Sequence, residues 1–242
     1  EKYPYDQIAW KVLGAVFKQT GRMEESLTAS QKSVQLAPQD AEAHNSLGNT
    51  LKELGRLAEA EKSYMSSIAL KSDHAQAHSN LGVTLAALGR YDEAEASYME
   101  AITLLPDSAA AYFNLGSMLM DLDRFDEAET NLRQAIVLSP GAEAFINLGI
   151  TLVGLNRYDE AEASCMEAIT LVPDSAAAYF NLGSMLQDLG RFNEAETNLR
   201  KAISLKPDYA EAYINLGCIL KELGEAEAAY RQAIALKPDY AS

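Results

Sequence analysis

The chain has 242 residues, of which 48% are hydrophobic and 23% are charged, so it is too apolar to be disordered. No apolar run approaches the roughly 18 residues that a membrane-spanning helix needs, and we therefore expect no membrane insertion. The 35 acidic residues outnumber the 20 basic ones and give a net charge of −15, which would repel a nucleic-acid backbone and argues against a nucleic-acid partner.

A repeat of 33 or 34 residues organises the chain. The triplet Asn-Leu-Gly recurs with this spacing, and the register extends back to Leu47-Gly48 and Leu13-Gly14. We predict seven units, at 7–40, 41–74, 75–108, 109–141, 142–175, 176–209 and 210–242, with residues 1–6 as the remnant of a preceding unit or a lead-in. Positions are counted below from the first residue of each unit.

Fixed residue types within the unit predict two antiparallel helices joined by a short turn. Position 8 is always Gly, where a side chain would hold two crossing helices apart. Position 15 carries residue types that tolerate a left-handed backbone, which ends a first helix: Gly21, Gly55, Gly89, Asp123, Asn156, Gly190 and Gly224. All prolines lie at position 32, where they end a second helix: Pro4, Pro38, Pro106, Pro140, Pro173, Pro207 and Pro238.

These features resemble the tetratricopeptide repeat (TPR) family over essentially the whole chain. Position 4 completes the match with an aromatic residue or His in every unit: Trp10, His44, His78, Tyr112, Phe145, Tyr179 and Tyr213. The resemblance implies an all-α fold, a right-handed superhelix (α-solenoid) of seven helix-turn-helix repeats. It also implies that the first helices line a concave groove and that each repeat buries its apolar face against its neighbours.

Three departures from a uniform array are visible. The fourth unit is one residue short, and the seventh lacks the Arg-x-x that opens the second helix elsewhere, so its turn at Leu223-Gly224 is shortened or residues are missing there. Pro4 already lies at position 32 of an earlier unit and nothing caps the array after Ser242, so we interpret the chain as a piece of a longer array or a larger protein. Residues 90–136 and 157–203 match at 41 of 47 positions, which indicates duplication of a two-repeat block.

No motif for catalysis, a cofactor or a metal emerges. Phosphate-binding loops, nucleophile elbows and Cys–His pairs are missing from the sequence, so we predict a protein that is not an enzyme and needs no cofactor. His74 and His78 have metal-ligand spacing, but His44 and His78 fill the aromatic slot at position 4, and we predict no metal site. We expect Cys165, at position 24, to be a buried inert thiol, and Cys218, at position 9, to lie on the groove wall.

The groove is where the sequence predicts function. Position 6 carries Asn in five consecutive units: Asn80, Asn114, Asn147, Asn181 and Asn215. An Asn amide can pair with both the N–H and the C=O of a peptide bond, so the row could read an extended backbone without demanding a sequence. The row is similar to the asparagine ladder of O-GlcNAc transferases. The alternative is that these amides bond within the scaffold.

Position 5 divides the array into two kinds of surface. It is polar in the first three units and apolar in the later four, where it is Phe113, Ile146, Phe180 and Ile214. These apolar residues could bury side chains of a ligand beside the ladder, or they could pack between adjacent first helices.

We therefore predict a non-catalytic scaffold that binds an extended protein segment in its groove. Two alternatives stay open: the substrate-recruiting arm of a larger enzyme, such as a transferase similar to the O-GlcNAc family, and a structural array that self-associates end to end. The sequence names no partner and leaves the compartment open.

Overall fold

A computed structural model describes residues 6–222, and thirteen α-helices make up most of that range. The first helices of the pairs are α1 (Gln7–Gln19), α3 (Ala41–Glu53), α5 (Ala75–Ala87), α7 (Ala109–Asp121), α9 (Ala142–Gly154), α11 (Ala176–Asp188) and α13 (Ala210–Glu222). The second helices are α2 (Met23–Leu36), α4 (Leu57–Leu70), α6 (Tyr91–Leu104), α8 (Phe125–Leu138), α10 (Tyr158–Leu171) and α12 (Phe192–Leu205). The chain forms two compact units, 1–118 and 119–242. Below, the first unit and the second unit mean these two, and each helix pair with its loops is called a repeat.

Local signals set the ends of these helices. Before α1 and α3, the carboxylates of Asp6 and Asp40 accept backbone N–H groups of the first turn. The first helices stop at residues of positive φ, as the sequence predicts: Gly21, Gly55, Gly89, Asp123, Asn156 and Gly190. Each second helix ends two residues before position 32, where every residue within the described range is proline except Ser72.

The glycine at position 8 makes room for the side chain at position 24. A Cβ atom added at Gly48 would lie 2.6 Å from the ring of Tyr64, and one at Gly82 would lie 2.7 Å from the ring of Tyr98. Both rings are buried, so neither can swing away into solvent. At these two repeats, a side chain at position 8 would therefore clash with the ring and hold the two helices of the pair apart.

Within each compact unit, helices pack against their pair partners, as in α3 with α4 and α11 with α12, and against the following pair, as in α4 with α5 and α10 with α11. In the first unit, Leu27 of α2, Leu51 of α3 and Tyr64 of α4 form one buried cluster. In the second unit, Ile146 of α9 and Ala178 of α11 belong to another. Burying one such large apolar side chain contributes about 1.5–3 kcal/mol, so stability comes from contacts between neighbouring helices.

Three arginines at position 16, Arg90, Arg157 and Arg191, tie their helix pair to the preceding one, in an arrangement that we call the Arg clasp. Arg90 forms a bidentate pair with Glu93, three residues later, and also reaches Glu61 of the preceding pair at 2.7 Å. The hydrogen bonds from Arg90 lower the pKa of the Glu93 carboxyl. The same link to the preceding pair recurs at Arg157–Glu129 (2.6 Å) and Arg191–Glu162 (2.6 Å).

The all-α TPR solenoid predicted from the sequence is confirmed by this arrangement of helix pairs. The predictions that concern Pro4, Pro238 and the shortened turn at Gly224 lie outside the described residues. Within residues 6–222, no helix is long and apolar enough to cross a membrane.

Candidate functional site

The first-helix face is the surface formed by positions 2, 5, 6, 9, 12 and 13 of the first helices. In the first unit, the predicted ladder residue Asn80 is only 9% exposed on this face. Its Nδ2 donates to Oδ1 of Asn45 at 3.0 Å, and its Oδ1 accepts from Nε2 of Gln76 at 3.4 Å. The bond to Asn45 joins α5 to α3 and the bond from Gln76 lies within α5, so this amide serves the scaffold, while one of its two N–H donors remains.

The other ladder residues are half-buried on the first-helix face. Nδ2 of Asn181 donates to the carbonyl of Ala177 in its own helix at 2.9 Å. Nδ2 of Asn215 donates to Oγ of Ser184 at 2.8 Å, which joins α13 to α11. The two remaining members of the row are Asn114 in α7 and Asn147 in α9.

The apolar residues at position 5 differ in their burial. Ile146 is 7% exposed and belongs to the core cluster of the second unit, so it packs between helices. Phe180 is half-buried, and its ring centroid lies 4.8 Å from that of Tyr209, just before α13. Phe113 and Ile214 are also half-buried. Three of the four therefore keep some surface that a ligand could contact.

A cavity of about 210 Å³ opens between α1 and α3 in the first unit, and we call it the Ser30 cavity. Its lining residues are Lys11, Gly14, Ala15 and Lys18 of α1, Ser30 and Ser33 of α2, and Ala43, Ser46, Asn49 and Thr50 of α3. Its lining is therefore rich in hydroxyl and amide groups.

Paired charges surround the Ser30 cavity. Nζ of Lys11 lies 3.3 Å from a carboxylate oxygen of Asp40, and Nζ of Lys18 lies 2.6 Å from one of Glu53. Burial acts to raise the pKa of the Asp40 carboxyl, but hydrogen bonds from the Ala43 N–H and from Lys11 lower it overall. Both lysines are thus neutralised by carboxylates of α3 or its cap.

A second cavity, of about 120 Å³, opens between α9 and α11 in the second unit, and we call it the Cys165 cavity. It is lined by Gly149, Ile150 and Val153 of α9, by Cys165 of α10, and by Asn181, Ser184, Met185 and Asp188 of α11. Burial raises the pKa of the Cys165 thiol to about 11, with a smaller contribution from the charge of Glu162. The thiol is therefore neutral near pH 7, which agrees with the inert thiol predicted from the sequence.

The two cavities occupy the same place in the repeat. Both are bounded by positions 8, 9 and 12 of one first helix, by position 24 of its partner, and by positions 6, 9 and 10 of the next first helix. Sequence reasoning identified Cys165 as a packing residue but missed the space beside it. The available signal was the small side chain at position 24, Ser30 or Cys165, where other repeats carry Tyr or Leu.

The histidines and the other cysteine have separate surroundings. The ring Nε2 of His44 and of His78 each lies 3.1 Å from a carbonyl oxygen at position 32, those of Pro38 and Ser72. His74 is buried beside Ser67, with its Nδ1 2.8 Å from the Ser67 Oγ. No group of three or more potential metal ligands occurs among the described residues. Cys218 is exposed on α13.

The helix pairs and the first-helix face define this molecule as a TPR protein, and TPR proteins serve in general as scaffolds for protein interactions. The family model for the cilia and flagella-associated protein 70 C-terminal domain, a TPR domain, matches residues 39–241. The chain belongs to this family. A search of curated proteins found no match.

Solved TPR structures share the fold. The chain is similar to the Cut9–Hcn1 assembly of the APC/C, with a TM-score of 0.76 and 19% identity, over 93% of this chain and 45% of that one. A TPR protein from Parabacteroides merdae gives a TM-score of 0.76 and 18% identity, over 96% of this chain and 93% of that one. YrrB, described as a TPR protein with an unusual peptide-binding site, gives a TM-score of 0.57 and 23% identity, over 74% of this chain and 94% of that one.

Proposed function

We propose that this chain is a non-catalytic scaffold that holds an extended segment of a protein partner along its first-helix face. The observation that carries the proposal is that cavities open on this face between successive first helices. Within either unit, an extended peptide that crosses successive first helices could place a side chain in that unit's cavity while its backbone runs past the amides at position 6. This combination supplies selectivity as well as backbone contact.

The amides alone would give weak binding. A hydrogen bond contributes about 1 kcal/mol net, and part of the capacity of Asn80, Asn181 and Asn215 is already used within the scaffold. A dissociation constant of 1 mM corresponds to a binding free energy of about −4 kcal/mol, so a row of such hydrogen bonds alone would give only millimolar affinity. Useful affinity therefore requires occupied pockets on the same face.

The test is peptide display on the wild-type chain beside a variant with all five ladder asparagines changed to Ala. We expect the wild type to select extended peptides and the variant to lose them, because the backbone contacts are removed. A second variant changes only Asn114, Asn147 and Asn181, which spares the buried bond between Asn80 and Asn45 and so keeps the first unit intact.

Asn131 and Asn198 provide a matched control on the second helices. Their Nδ2 atoms donate to carbonyls four residues earlier at 2.9 Å, as that of Asn181 does, but they lie outside the first-helix face. Changing both to Ala should leave peptide selection unchanged. Equal binding by the wild type and by both ladder variants, at unchanged helical circular dichroism, would show that the asparagines are scaffold residues only.

A second candidate function is self-association through α1. This helix exposes an apolar stripe, with Ile8 at 69%, Val12 at 57% and Val16 at 45% exposure, and a second copy of the chain could cover it. The net charge of −15 opposes such contact, so association should strengthen with salt. Light scattering should show a mass that rises with concentration and that stays monomeric in an Ile8→Glu, Val12→Glu variant. A monomeric wild type at high protein concentration and high salt would exclude it.

A further inference from the structure

The residue at position 24 decides whether the space between two first helices is filled. In the second repeat, the ring of Tyr64 is buried under Gly48, and its hydroxyl donates to Oδ1 of Asn49 at 2.9 Å, close also to Thr84. Asn49 is at position 9 of one first helix and Thr84 at position 10 of the next. These are the positions that line the two cavities, so the phenol of Tyr64 fills the equivalent space.

The duplicated blocks isolate the same effect. Residues 90–136 and 157–203 differ at six positions, and one of the six pairs Tyr98 with Cys165. In the first unit, the buried ring of Tyr98 lies under Gly82. In the second unit, the only contact under 3.4 Å that a Cβ atom added at Gly149 would make is with Sγ of Cys165, at 3.0 Å. The Cys165 cavity is therefore the space that a tyrosine ring occupies in the sister block.

Size and lining both suit an aromatic ring. An apolar cavity of about 150 Å³ binds benzene, and the Cys165 cavity measures about 120 Å³ and opens to the surface. Ile150, Val153 and Met185 supply apolar walls, and a methionine sulfur packs favourably against an aromatic edge. The Asp188 carboxylate, exposed at the rim, can accept a hydrogen bond from a phenol.

We propose that the Cys165 cavity receives a tyrosine or phenylalanine side chain of the bound peptide and so sets its sequence preference. This inference rests on the proposed peptide-binding function and names the side chain that the second unit selects. The bound ring takes the place that Tyr98 holds in the sister block, while the peptide backbone passes Asn181 at the mouth of the cavity.

The cavity can be tested without a peptide. The probe is p-cresol, which is the tyrosine side chain alone, and the reporter is the ¹³C-labelled methyl group of Met185 in NMR spectra. We expect a saturable shift with a dissociation constant on the order of 1 mM, as suits a ligand this small. Cys165→Tyr should abolish the shift because the new ring fills the cavity, whereas Cys165→Ser should retain it. The absence of any saturable shift in the wild type would overturn the inference.

Cys165→Leu covers the case in which the tyrosine variant does not fold. Leucine is the residue at position 24 in two other repeats, as Leu132 and Leu199, and both are fully buried there. The leucine variant should weaken p-cresol binding at least tenfold while the helical circular dichroism and Tm are kept. Undiminished binding in a folded leucine variant would show that p-cresol sits elsewhere, which contradicts the proposal.

Peptide display then separates this inference from the proposed function. We expect wild-type selections to contain Tyr or Phe at one fixed place, and Cys165→Tyr selections to lose that preference while they still contain extended peptides. Selected peptides with no aromatic preference, or with one that survives in Cys165→Tyr, would overturn the inference and leave the proposed function standing. No selected peptide at all would overturn the proposed function, and this inference with it.

Discussion

The Ser30 cavity and the Cys165 cavity occupy equivalent places in the repeat but differ in chemistry. The first is the larger, at about 210 Å³ against about 120 Å³, and hydroxyl groups and lysines line it. The second has the apolar side chains of Ile150, Val153 and Met185 where the first has Ala15, Lys18 and Thr50.

This difference separates what the repeat fixes from what the individual residues decide. Glycine at position 8 and a small residue at position 24 create the cavity between two first helices, in whichever repeat they occur. The side chains at positions 9, 10 and 12 then determine what the space can hold. A repeat protein can therefore vary its binding chemistry along the chain without any change in the backbone.

The largest expected effect comes from opening a third cavity of this kind. Tyr98→Cys copies Cys165 into the sister block and should cost about 3 kcal/mol in the free energy of unfolding, because a buried ring is removed. Urea denaturation measures the loss. The variant should also gain a p-cresol site in the first unit. A cost below about 1 kcal/mol would mean that the helices close the gap, and the cavities would then not follow from position 24 alone.

A smaller effect is expected from a methyl group added at position 8. Gly82→Ala places its Cβ 2.7 Å from the rigid Tyr98 ring and should cost about 2 kcal/mol, although the better helix propensity of Ala offsets part of this. Gly149→Ala is the matched control, since the Cys165 Sγ at 3.0 Å can move into the adjoining cavity. Its cost should be near zero. Thermal denaturation of both variants checks the order, and equal losses would contradict it.

The ladder residues should also separate by their bonding. Asn80→Ala leaves the buried Oδ1 of Asn45 without its donor, which should cost about 1–2 kcal/mol. Asn181→Ala removes only a bond to a carbonyl of its own helix, and the change in stability should be near zero. Urea midpoints of the two single variants measure the difference. If Asn181→Ala proved as costly as Asn80→Ala, both amides would have to be counted as scaffold.

The last effect appears only at alkaline pH and concerns the Cys165 thiol. Its pKa is raised from 9.0 to about 11, so its contribution to stability is full below about pH 9 and is lost as the pH rises through 11. The thiolate is the reactive form, so iodoacetamide at about pH 8 should modify the exposed Cys218 much faster than Cys165. Peptide mapping by mass spectrometry measures both rates, and Cys165→Ser confirms the assignment. Equal rates in the folded protein would contradict the burial of Cys165.

The sequence predicts the backbone of each repeat well because single residues carry the signals. Asp123 and Asn156 adopt the positive φ expected of position 15, at 57° and 59°, although neither is glycine. The face that carries Asn80 also follows from the period. The hydrogen bond from Asn80 to Asn45 does not follow from the period, because a period shows which face a side chain lies on but not which neighbour it bonds to. The small residue at position 24 indicates the Cys165 cavity only when the repeats are compared with one another, because a single residue type does not show the volume left empty beside it.

The Arg clasp has a consequence for how such a chain can grow. Arg90 links its repeat to Glu61 of the repeat before, and Arg157 links to Glu129 by the same geometry at the junction between the two sister blocks. A copied two-repeat segment thus brings an arginine at its leading edge and a glutamate at its trailing edge. The new junction is built from the same pair of partners as the old one. Gene duplication in whole repeats can therefore lengthen the protein without requiring any compensating mutation at the seam.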